Sequence, residues 1–249
     1  LQISDTEISL LMGFAFAIFY VAMAVPIARL SDSQSRKLII IIGMTSWSVA
    51  TAFCGLAKNY TQLFFARVGV GVGEATLTPA AYSMIADSFP EHKLGRALAL
   101  YSIGIPVGAG LAGVFGGWAV QAISRAGTVN LPFVGTLHPW QLTFIAVAIP
   151  GLFLVSLMSL TIREPVRRDI KSQMNGQPVP FRSVLTFMWQ NKKLFGSIFL
   201  GYAFAGTAFY GFLSWIPEFI RRTHDWDIGA AGMVFGAIYA VFGTAGTLT

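Results

Sequence analysis

Six stretches of this chain, 8–28, 38–57, 97–124, 140–162, 194–217 and 228–249, each run for twenty residues or more without an Asp, Glu, Lys or Arg. A helix needs about 20 apolar residues to cross the roughly 30 Å hydrocarbon core of a bilayer. A seventh stretch, 59–86, is as long but contains Arg67 and Glu74. A water-soluble fold has no use for seven such runs, because it must coat its surface with charge. Only 11% of the residues here are charged, against about 25% in soluble chains. The expected class is therefore an all-α polytopic membrane protein with about seven transmembrane helices.

The charges sit between the runs and alternate in number. If the loop with Arg29, Arg36 and Lys37 faces the cytoplasm, that side also receives Lys93, Arg96 and the seven basic residues from Arg163 to Lys193. Twelve basic residues then lie inside and four outside, a positive-inside pattern that fixes orientation. The formal charge of +6 is thus topological and calls for no nucleic-acid partner. Residues 163–193 read as a cytoplasmic linker between an amino-terminal bundle (1–162) and a second bundle (194–249). Residues 125–139 predict a short outer hairpin around Pro132 and Gly135.

Other classes find little support. Residues 1–28 open on Asp5 and Glu7 rather than on basic residues, unlike a signal peptide. Cys54 is the single cysteine, which leaves no internal disulfide and reads as a small buried apolar residue. His92, His138 and His224 fall in connectors, too scattered to hold a metal, and no cofactor is implied. Gly69-Val70-Gly71-Val72-Gly73 lacks the strand that a dinucleotide fingerprint needs before it.

Several local patterns then coincide. Ala28-Arg29-Leu30-Ser31-Asp32-Ser33-Gln34-Ser35-Arg36-Lys37 resembles the loop signature of the major facilitator superfamily. Arg67-Val68-Gly69-Val70-Gly71-Val72-Gly73-Glu74-Ala75 looks like its fourth-helix motif, and Gly104-Ile105-Pro106-Val107-Gly108 is similar to its fifth-helix motif. The Gly-Val-Gly-Glu-Ala wording and Arg163-Glu164-Pro165 look most like the Spinster branch. The loop departs from the pattern at Ala28, where a Gly is usual, and at Ser33, where an Arg is usual. The resemblance implies two six-helix halves joined by a linker after the sixth helix. Here the linker follows five, so residues 8–28 are expected to match the family's second helix, with most of the second half also beyond this sequence.

Within this frame Arg67 and Glu74 are the leading candidates for chemistry. A charge at mid-bilayer costs about 3 kcal/mol or more, so it needs a partner or a wet cavity. Seven residues are almost two helical turns, which puts both on one face about 10 Å apart, beyond direct pairing. Glu74 is read as a proton carrier and Arg67 as the group that tunes it or holds an anionic substrate. Asp32, Arg36 and Lys37 read as a gating latch, with Arg96 or a helix terminus as the partner. Gly104, Pro106 and Gly108, with Gly110, Gly113, Gly116 and Gly117 beyond them, read as a hinge or a packing face, and Tyr202 and Tyr210 as weak candidates for the substrate path.

The expected function is secondary active transport by alternating access, as a proton-coupled symporter or antiporter. The Spinster resemblance implies a small organic, amphipathic or lipid-like solute. The expected partners are that solute, protons and the lipid bilayer, for a monomer in the bacterial inner membrane. An uncoupled facilitator and a non-transporting receptor of the same fold are the alternatives. No catalytic constellation accompanies the charges, so an enzyme is not expected.

Overall fold

The structure, a computed structural model, describes residues 3–131, 135–167 and 180–248. The part of the linker with Arg168, Lys171 and Asn175 to Pro178, and Pro132, lie outside the described residues.

Local signals place the helix ends. Ser4 and Glu7 form a reciprocal capping box, with the Ser4 N–H donating to the Glu7 carboxylate at 2.8 Å. From there α1 (Asp5–Ser9) passes through a π turn (Leu10–Phe14) into α2 (Ala15–Ser33), one stretch of 29 residues. Ser35 caps α3 (Arg36–Leu56) by accepting from the Leu38 N–H, and Asn59 caps α4 (Tyr60–Glu74) by accepting from Gln62. Helices α5 (Leu77–Ser88) and α6 (Glu91–Ala126) follow. Strands β1 (Val129–Leu131) and β2 (Gly135–Leu137) pair antiparallel, Val129 opposite Leu137, forming the expected hairpin. After α7 (Pro139–Thr161) come α8 (Phe181–Gln190), α9 (Lys192–His224) and α10 (Ile228–Ile238). A second π turn (Tyr239–Gly243) leads into α11 (Thr244–Leu248). His92 and His224 prove to be helical, in the end turns of α6 and α9.

Among the described residues, six helical stretches are long and apolar enough to cross a membrane. Three of them, Asp5–Ser33, Glu91–Arg125 and Lys192–His224, extend several residues beyond the apolar segments into the charged flanks. The seventh segment, 59–86, is not one helix: it breaks at Ala75 and Thr76 into α4 and α5. Pro79 explains the break, since it lacks an N–H and its ring collides with the carbonyl four residues back, that of Ala75. The Thr76 N–H and hydroxyl both donate instead to Gly73, at 3.3 and 2.8 Å.

The chain forms two compact units, residues 1–166 with 232–249, and residues 167–231. In the first, α3 packs against α4, α5 and α7, and α2 packs against α4. Leu11, Ala50, Cys54, Leu63 and Val70 form one core cluster; Ile39, Ile40, Ala80, Ala81 and Met84 form another, nearer the start of α3. Cys54 is fully buried, the role expected of it. Backbones approach closely at two crossings. A Cβ on Gly43 would strike the Thr76 hydroxyl and lie 2.7 Å from the Gly73 carbonyl, and one on Gly113 would lie 2.7 Å from Gly236 Cα. Large apolar side chains such as Phe53, Phe65, Leu100, Phe115 and Phe153 face outward, as lipid contact requires. The second unit is built from α8 and α9, joined at Asn191.

Candidate functional site

Two candidate sites built around an arginine sit within the first unit. The first centres on Arg67. The opposing π turn shifts the backbone ladder by one residue, with the Ala15 N–H donating to the Leu10 carbonyl. Beside it, the Leu11 carbonyl accepts from Arg67 Nε at 3.3 Å. The guanidinium lies 5.5 Å from the Phe16 ring centroid, a cation–π contact. Gly71 allows that approach, since a Cβ there would lie 2.5 Å from the Phe16 carbonyl oxygen. Arg67 also lines a cavity of about 460 Å³ with Leu11, Met12, Leu63, Trp140 and Phe144, and supplies its one charge among the described residues. An apolar cavity with a single cation suits an amphipathic anion.

Glu74 does not line that cavity. It ends α4, exposed beside the break at Ala75, and among the described residues it forms no hydrogen bond or ion pair. Arg67 and Glu74 are therefore not directly paired, as their spacing requires.

The second group centres on Arg36, at the first turn of α3. Its side chain is 1% exposed and forms a salt bridge to Asp87 of α5 and another to Glu164, with Nε 3.0 Å from the carboxylate. It also donates to the Ser83 hydroxyl at 2.9 Å and the Pro165 carbonyl at 3.0 Å. The Glu164 carboxylate further accepts from the Ser35 hydroxyl and from the Arg36 and Lys37 N–H groups, at 2.9 and 3.0 Å. It thus caps α3 from outside, where the helix dipole favours negative charge. Burial alone raises its pKa. The hydrogen bonds from Ser35, the Arg36 and Lys37 backbones and the Arg36 side chain outweigh that and hold it at about 2. Lys37 Nζ donates to the Ser159 carbonyl at 2.7 Å, so the start of α3, the end of α5 and the end of α7 are tied at one point.

Comparison with known proteins decides the family: residues 1–249 match the model of the Major Facilitator Superfamily. The chain belongs to that superfamily. It is 26% identical over its whole length to an MFS-type efflux pump of Mycolicibacterium smegmatis, covering 53% of that protein. It is 30% identical, again over its whole length, to Protein spinster homolog 1 of Xenopus tropicalis, covering 47% of it. A crystal structure of a bacterial homolog to the human lysosomal transporter Spinster, inward-facing and unoccupied, aligns with a TM-score of 0.78 at 33% identity. That alignment covers 96% of this chain and 52% of the other. The chain spans about half the length of the curated relatives it matches.

Within this superfamily fold the candidates of the loop signature separate. Arg36 and Lys37 join one cluster, but its acidic members are Asp87 and Glu164 rather than a pairing of Asp32 with Arg96. Arg96 is exposed on α6 and forms no ion pair among the described residues. Asp32 is exposed near the end of α2. Sequence reading passed over Asp87 because the apolar run stops at 86, one residue short. It noted Glu164 only as part of a motif, although its place beside a helix end was a usable signal.

On α6 the close packing falls on Gly110 and Gly113, one part of the glycine-rich run, and not on Gly104 and Gly108. Cβ atoms on Gly104 or Gly108 would meet open space, whereas Gly110 and Gly113 press on Gly236. At 100° per residue, 110 and 113 lie on the side of the helix opposite 104 and 108. Pro106 packs toward Gly243. Tyr202 and Tyr210 are exposed on α9 in the second unit.

Proposed function

We propose that the protein is a secondary active transporter moving a small organic or lipid-like solute by alternating access, with protons as the coupling ion. The observation that carries this reading is the intramembrane Arg67 over an apolar cavity, with Glu74 two turns along the same helix at its break. A carboxyl group at a helix break inside a membrane can load and release a proton as its surroundings change. Arg67, whose polar partner among the described residues is one carbonyl with an aromatic ring beside it, has N–H groups left for an anionic substrate group. Family membership and the Spinster likeness support transport, and the apolar cavity lined by Arg67 supports an amphipathic solute. Residues 1–162 then serve as the amino-terminal bundle, 163–193 as the linker and 194–249 as the start of the second bundle. Arg36, Lys37 and their acidic partners act as the gate on the side of the basic loops, Asp32 and Arg96 flank it, and α6 bends at Pro106. Tyr202 and Tyr210 belong to the solute path. The protein works as a monomer in the bacterial inner membrane.

The test uses the whole protein in sealed vesicles with labelled organic solutes under an imposed pH gradient, comparing native protein with Glu74→Gln. Gradient-driven uptake that the substitution abolishes is the expected result. Uptake that ignores both gradient and substitution would make the protein an uncoupled facilitator, and ligand binding without flux would make it a receptor.

A further inference from the structure

The ten residues of α8 divide along their axis more sharply than any spanning helix. At 100° per residue, Phe187, Val184, Met188, Phe181, Leu185 and Trp189 occupy one continuous arc of about 200°. Arg182, Thr186, Gln190 and Ser183 occupy the remaining side. No residue of α8 is buried, and Phe187 and Trp189 are 58% and 74% exposed. A soluble surface would not display such an apolar face.

Covalent continuity says what covers it. One residue, Asn191, separates α8 from α9, a 33-residue helix long and apolar enough to span a bilayer. The start of α8's partner therefore lies at a membrane surface, and α8 must lie there too. A ten-residue helix is about 15 Å long and cannot itself cross. The corner is built rather than slack: Asn191 donates through both its backbone N–H and side-chain amide to the Phe187 carbonyl, at 3.1 and 2.9 Å. The Phe187 ring packs edge-on against Phe195 of α9, centroids 6.0 Å apart.

Charge narrows the partner further. From Phe181 to Lys193 there are three basic residues, Arg182, Lys192 and Lys193, and no acidic one. Lys192 Nζ sits 5.4 Å from the Trp189 ring centroid, which sets an ammonium at the depth an interfacial indole prefers. We infer that α8 is an interfacial anchor that lays its apolar arc into the leaflet on the side of the basic loops and gathers anionic phospholipid headgroups through Arg182, Lys192 and Lys193. Its apolar area supplies the insertion and the three cations supply the headgroup preference. Transport plays no part in the inference.

The full chain is reconstituted in phosphatidylcholine vesicles with a minor fraction of either chain-brominated phosphatidylglycerol or chain-brominated phosphatidylcholine. The signal of Trp189, one of six tryptophans, is the difference between native protein and Trp189→Phe. Bromine quenching of Trp189 should be at least twofold stronger for the anionic lipid at equal mole fraction. In the triple variant Arg182→Gln/Lys192→Gln/Lys193→Gln it should fall to the phosphatidylcholine value, while quenching of the other tryptophans by brominated phosphatidylcholine stays native and certifies the fold. Equal quenching by the two lipids in native protein would overturn the headgroup preference, and absence of quenching by either would overturn the anchor.

Discussion

Arg36 and Asp87 form a salt bridge whose side chains are 1% and 7% exposed, joining the start of α3 to the end of α5 across 51 residues of sequence. Glu164 closes the other side of the same guanidinium, so a fully enclosed cation is matched by two carboxylates, one of them part-exposed.

Removing one partner of a buried pair leaves a charge without compensation. Asp87→Asn should destabilise the detergent-solubilised protein by about 3 kcal/mol, the low end of such losses, because Glu164 and Ser83 remain. The double replacement Arg36→Met/Asp87→Leu should recover much of that loss. Thermal unfolding midpoints decide it: a native midpoint for Asp87→Asn would show that the pair contributes nothing.

The carboxyl of Glu164 predicts an acid-sensitive element of stability. Its folded pKa is about 2, below the ordinary 4.5. A depressed carboxylate contributes stability that is complete above the unfolded value and disappears as pH falls toward the folded one. The native protein should therefore lose stability relative to Glu164→Gln between about pH 4.5 and pH 2, the two curves running parallel above that window. Parallel curves throughout would refute the assignment.

Gly43 and Gly104 make a matched pair of tests. Alanine at 43 must push into the Thr76 hydroxyl and the Gly73 carbonyl, where α3 crosses the α4–α5 break. Overpacking of this kind costs about 1–3 kcal/mol. Alanine at 104 meets open space and should leave stability unchanged or raise it by up to about 1 kcal/mol. Unfolding midpoints of the two variants should move in opposite directions or differ clearly, and equal shifts would contradict the packing described.

The Ser48 hydroxyl is buried with no hydrogen-bond partner among the described residues, facing Gly151 of α7. Deleting an unsatisfied polar atom removes its desolvation cost. Ser48→Ala should match the native midpoint or exceed it by the equivalent of about 1 kcal/mol. A clear loss of stability would mean that the hydroxyl has a partner after all.

Much of the membrane architecture was legible along the chain because a span needs only an uncharged run of sufficient length. The break inside 59–86 was legible too, through Pro79, but length and hydropathy masked it. Arg67 and Glu74 stood out because a charge in an apolar run is conspicuous by itself. Their surroundings were not: Leu11 and Phe16 are ordinary apolar residues, and only the docking of α1–α2 on α4 brings a carbonyl and a ring to the guanidinium. The glycines of α6 offered two faces, 104 with 108 and 110 with 113, and nothing local said which one a neighbour would use.

Sequence by itself therefore determined the helical membrane class and the superfamily, since hydropathy and short motifs are properties of neighbouring residues. Tertiary structure alone decided that Arg36 meets Asp87 and Glu164, 51 and 128 residues away, and that Gly113 meets Gly236. Those pairings depend on which helix faces dock. Docking is set by the combined shape of many side chains, which no single segment carries.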